Sequence, residues 1–168
     1  MNTQAKSRLT AALDLADRQQ AEEATRKSDA EKRYQEALDA FDALQKNVLL
    51  PTLRELMTEI AARGHKVDVV SNPNEPKTRH EVPVTVVSMI IRPRKVTGSK
   101  LPDERMPSIT FQSSSPPLGS VTVTLNNLSN SPSDKSRAIT LATSELTAER
   151  VSELVVELVE EGVTKGIF

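Results

Sequence analysis

The stretch Val48–Val70, VLLPTLRELMTEIAARGHKVDVV, decides the fold, because within it a helical repeat of apolar residues gives way to an alternating one. Leu49, Leu53, Leu56, Met57 and Ile60 form a wide apolar stripe, which suits a helix packed on a sheet better than a thin coiled-coil seam. Pro51 has no amide to bond four residues back and its ring crowds the preceding turn, so a kink or a restart of the helix is expected there. Gly64 supplies a left-handed C-cap, and Lys66 opens a strand expected to run through Val70.

Upstream, Asn2 to Leu50 contains neither Gly nor Pro and is rich in Ala, Gln, Glu, Lys, Arg and Leu, the composition of a long continuous helix. Ser28 with Glu31 fits a capping box, which would suit a hairpin broken near Lys27; the absence of a turn residue favours continuity. Leu9, Leu13 and Ala16, then Ala30, Tyr34, Ala37, Phe41, Leu44 and Val48, come close to heptad spacing. The same register puts Gln20 and Lys27 on the seam, so a coiled coil is expected to be strong only from about Ala30. An apolar seam on a protruding helix calls for a second helix to cover it, and a homodimer is the simplest closed arrangement. Self-association is therefore expected through Tyr34, Ala37, Phe41, Leu44 and Val48.

Downstream the period is two: Val67 and Val69, then Val82, Val84 and Val86, then Ile109 and Phe111, then Val121, Val123 and Leu125. Turn chemistry separates these antiparallel strands at 72–76, 97–99, 115–119 and 126–132, and Ala138 to Leu141 suits a short fifth strand. Pro83 places its strand at an edge or a bulge. The outward face of the sheet is expected to carry Thr85, Thr110, Thr122 and Thr124. Thr147 is the expected N-cap of a final amphipathic helix bearing Val151, Leu154, Val155, Leu158 and Val159 and ending at Gly162. Its valines are mediocre helix formers, so packing on the sheet has to supply most of its stability.

Charge is uneven along a chain whose formal net charge is −1: residues 65–143 hold 10 basic and 6 acidic side chains, residues 144–168 hold 2 and 6. With no Cys, disulfides and thiolate metal sites are excluded. No basic segment leads into an apolar run near Met1 and no apolar run approaches bilayer length, so the expectation is a cytoplasmic protein with no membrane partner. Three Phe, one Tyr and no Trp leave little material for stacking platforms or large aromatic pockets.

Catalytic and ligand signatures are absent from the pattern. His65 and His80 each flank a strand and share no helix face, no nucleophile elbow surrounds any Ser, and the glycines are too scattered for a phosphate cradle. No catalytic, cofactor or metal site is expected, and Glu157, Glu160 and Glu161 read as a solvated helix face. Lys77, Arg79, Arg92, Arg94, Lys95 and Lys100 form a basic cluster able to meet a polyanion or an acidic protein partner, or to dock internally on the acidic final helix. No aromatics are interleaved to read bases.

These readings converge on an α+β protein: a helical, partly coiled-coil segment over 1–50 and a compact domain over 51–168, with a sheet of four or five antiparallel strands covered on one face by residues 52–63 and 147–161. The expected role is a non-enzymatic interaction or adaptor protein that self-associates and binds a protein partner. A nucleic-acid-associated protein using residues 77–100, and an enzyme whose site is scattered through the sequence, are the alternative classes.

Overall fold

The computed structural model describes residues 3–73, 85–94, 106–114, 119–127 and 136–168. The chain divides into two compact units, Met1–Ala37 and Leu38–Phe168. Helix α1 (Thr3–Leu44) is continuous, so no hairpin forms near Lys27. Within the first unit, residues Lys6 to Arg33 are exposed all round. Lys27 pairs with Glu23 at 3.1 Å one turn away, a contact worth a few tenths of a kcal/mol at ~0.3–0.5. Leu9, Leu13 and Leu15 are 57%, 56% and 58% exposed.

In the second unit, the last turns of α1 lead into a π-helical turn, Gln45–Leu49, and then into α2 (Leu50–Ala62). Pro51 explains the turn. With no amide of its own and a ring that would strike the Asn47 carbonyl, it fits only where the helix widens, and Leu50 N–H accordingly reaches five residues back to the Gln45 carbonyl. The expected kink is thus absorbed by one π turn, with proline in the first turn of α2. Gly64, at φ 86°, donates its amide to the Ala61 carbonyl at 2.9 Å and ends the helix abruptly.

Among the described residues five strands follow as an antiparallel meander in chain order: β1 (Lys66–Pro73), β2 (Thr85–Arg92), β3 (Ser108–Ser114), β4 (Ser120–Asn126) and β5 (Arg137–Ala142). Strand β1 runs three residues beyond the expected Val70, pairing Asn72 with Val86 and Pro73 with Thr85. It is an edge strand, where a proline lacking its amide is tolerated. The expected strand start at 82–84, and Pro83 with it, lies outside the described residues.

The buried face of the sheet carries Val87, Met89, Ile91, Ile109, Phe111, Val121, Val123 and Leu125. Phe41, Leu44, Leu49 and Leu53 close over it together with Val151, Leu154, Val155 and Leu158 of α3 (Ala148–Thr164). Phe111, Leu49 and Leu53 are fully buried, each contributing about 1.5–3 kcal/mol of apolar transfer. On the opposite face, Ser88, Thr110 and Thr124 occupy one cross-strand row, with Ser88 Oγ and Thr110 Oγ1 3.0 Å apart, and Thr122 stands opposite Gln112 and Thr140. Thr85 does not join them: it shares the parity of Val87 and Met89, so Val86 takes the outward face instead. The run Val86-Val87-Ser88-Met89-Ile90-Ile91 is apolar at both parities, and alternation alone does not orient it.

Thr147 caps α3, its Oγ1 accepting from Arg150 N–H at 3.2 Å, with Glu149 in the first turn. The helix does not stop at Gly162. It continues to Thr164 and ends in a Schellman motif: Gly166 (φ 69°) donates to the Val163 carbonyl and Ile167 to the Gly162 carbonyl, each at 2.9 Å.

Candidate functional site

An apolar cleft of ≈300 Å³ opens between α2 and α3. Leu56, Ile60, Val155, Val156 and Val159 form its walls, His65 and Phe168 close one end, and Glu59, Glu160 and Arg63 stand around its mouth. Local chemistry assembles each part. The apolar spacing of α2 turns Leu56 and Ile60 the same way as the fully buried Leu53, so the stripe is wider than the sheet beneath it can cover. Gly64 reverses the chain directly after α2 and sets His65 beside that helix end, while the Schellman turn brings Phe168 back over α3. Gly162 makes room for that ring: a Cβ at this position would fall on Phe168.

The His65 ring is held on two sides. It meets Phe168 edge to face, with centroids 5.4 Å apart and planes at 78°, and its Nδ1 accepts the Arg94 backbone N–H at 3.0 Å. A backbone amide only donates, so Nδ1 is the accepting nitrogen of this contact. His65 is a half-buried residue of the cleft wall, a placement that nothing in its sequence neighbourhood marks. His80 lies outside the described residues.

Among the described residues the cleft lining holds two carboxylates and one guanidinium. Glu59 and Glu160 are carboxylates on opposite walls, and Arg63, His65 and Phe168 together show that α2 and α3 direct their C-terminal ends toward the same end of it. Each helix C-terminus carries about half a negative charge, so Arg63 offsets only part of the field.

The expected self-association residues are divided in their placement. Phe41 and Leu44 are 2% and 7% exposed in the core, Val48 is half-buried against it, and Tyr34 and Ala37 are half-buried on the first unit. The Tyr34 hydroxyl is buried without a hydrogen-bond partner, and desolvation raises its pKa. Of the basic cluster, Lys77, Arg79, Lys95 and Lys100 lie outside the described residues. Arg92 pairs with Asp68 across β1 and β2, and Arg94 packs near Gly64 while its amide serves His65. Three carboxylates of α3 have described partners: Arg137 and Arg150 on Glu157, Arg150 on Glu153 at 2.8 Å, and Lys165 on Glu161 at 2.9 Å.

Among the described residues no three His, Asp or Glu side chains converge as a metal site, and no helix is long and apolar enough to cross a membrane. Compared with protein-family models, curated proteins and solved structures, the chain matches none.

Proposed function

We propose that this chain is a non-enzymatic interaction protein that self-associates through its N-terminal helix and receives a protein partner in the α2–α3 cleft. The observation that carries the reading is the pair Leu9 and Leu13, both more than half exposed on one face of a helix whose side chains from Lys6 to Arg33 are all exposed. A solitary helix draws little stability from propensity alone, and two leucines one turn apart on it are surface waiting to be covered. Because Phe41 and Leu44 are engaged in the chain's own core, the contact surface lies toward Leu9 and Leu13 rather than along the heptad seam from Ala30. A protein partner is favoured over nucleic acid because Asp68 already engages Arg92 and the cleft mouth carries Glu59 and Glu160.

Sedimentation velocity at tens of micromolar tests the self-association. The wild type is expected to be dimeric and Leu9→Glu/Leu13→Glu monomeric with unchanged helical circular dichroism, since both side chains are exposed. A monomeric wild type across that range would overturn the reading.

A further inference from the structure

We infer that the occupant of the α2–α3 cleft is the segment Lys6–Ala16 of a second copy of this chain, so that two chains exchange N-terminal helices. The inference rests on the self-association proposed above and names its receptor. Among the described residues the large exposed apolar side chains fall into two sets apart from Val70: Leu9, Leu13 and Leu15 on the N-terminal helix, and Val156 and Val163 on α3. In the first set Leu9 and Leu13, one turn apart, form a ridge, and Leu15 stands on the other side of the helix. The second borders a groove, with Val156 49% exposed in its wall.

Shape is matched by sign. The segment carries Lys6 and Arg8 and has no acidic residue before Asp14, whereas the cleft presents, among the described residues, Glu59, Glu160 and two helix C-termini with Arg63. Leu9 and Leu13, with Ala12 and Ala16 on the same face, have the spacing by which an amphipathic helix lays its apolar side into a groove, and the small alanines permit close approach. Reciprocal exchange uses one ridge and one cleft from each chain and closes as a two-fold dimer, covering Leu9, Leu13 and Val156 in both chains.

The test uses the full chain, followed by sedimentation velocity over a concentration series. Val156→Lys places a cation in the cleft wall at a half-exposed position, and unchanged thermal unfolding of the variant is the control for folding. The substitution is expected to raise the dimer dissociation constant by about tenfold or more, as Leu9→Glu does. Charge exchange supplies a gain of function: Glu160→Lys weakens the dimer, and adding Lys6→Glu and Arg8→Glu restores it. If Leu9→Glu dissociates the dimer while Val156→Lys and Glu160→Lys do not, the helix still mediates self-association but the cleft is not its receptor. If the wild type is monomeric, both proposals fall. A synthetic peptide of residues 3–20 in excess is expected to compete the wild-type dimer apart, and failure to do so would overturn the cleft assignment.

Discussion

The ring of Phe168 lies against Gly162, in the space a Cβ at that position would occupy, and it also meets the His65 ring edge to face. A glycine inside a helix costs about 1 kcal/mol relative to alanine, so Gly162 is retained at a loss that the packing of Phe168 offsets.

The two effects separate in a double-mutant cycle. Gly162→Ala alone is expected to destabilise by about 1–2 kcal/mol, because overpacking outweighs the propensity gain. In a Phe168→Ala background the same change is expected to stabilise by roughly 0.5–1 kcal/mol, since only propensity remains. Urea denaturation of the four proteins checks this, and additive effects would show that the ring does not hold its place against α3.

Phe41 and Leu13 are both apolar residues of α1, yet their burial sets opposite outcomes. Phe41→Ala empties a core position and is expected to cost about 3–5 kcal/mol, while Leu13→Ala is expected to change stability by less than about 0.5 kcal/mol. Thermal unfolding at submicromolar concentration, where association contributes least, makes the comparison. Similar losses for both would mean that Leu13 is covered within the chain.

Arg92 lies diagonally across from Asp68 on the β1–β2 ladder and is the more covered of the two, at 27% against 51% side-chain exposure. Asp68→Asn is expected to cost under about 1 kcal/mol, shrinking with added salt. With Arg92 engaged in this way, wild-type protein is expected to leave DNA and RNA unretarded in gels even at low salt. A salt-sensitive shift abolished by Arg92→Gln/Arg94→Gln/Lys95→Gln would instead favour polyanion binding.

Much of the architecture is legible in the residues. The change of period at Gly64, the capping Thr147 and the valine alternation of β4 each leave one reading open, and the structure takes it. Legibility fails where two signals compete. Gly162 carries the mark of a helix stop, but its role is spatial, and the stop falls to Gly166 four residues later. Phe41 and Leu44 fit a heptad seam and a sheet-packing stripe equally well, because both patterns repeat every three to four residues and only the sheet's position distinguishes them. The cleft is the least legible feature. His65 and Phe168 are distant in sequence and meet only through two chain reversals, while Leu56, Ile60, Val155 and Val159 read simply as core.

Tyr34 is the only tyrosine in a chain without tryptophan, which makes its ionisation directly visible as the growth of tyrosinate absorbance. Burial disfavours the charged phenolate, and with no hydrogen-bond partner to compensate, the folded-state pKa stands above the ordinary 10.0. The sign follows from linkage. A group whose folded pKa is raised contributes stability that is fully present below its unfolded value, and that contribution is lost as pH rises from about 10 through the folded value. The native titration midpoint is therefore expected to lie above that measured in concentrated urea, and stability is expected to fall over that alkaline interval. Tyr34→Phe removes both the ionisation and an unpartnered hydroxyl, so it is expected to abolish this part of the alkaline loss and to stabilise the protein at neutral pH by up to about 1 kcal/mol. Coincident midpoints in the native and unfolded states, together with a destabilising Tyr34→Phe, would show that the hydroxyl has a partner in solution.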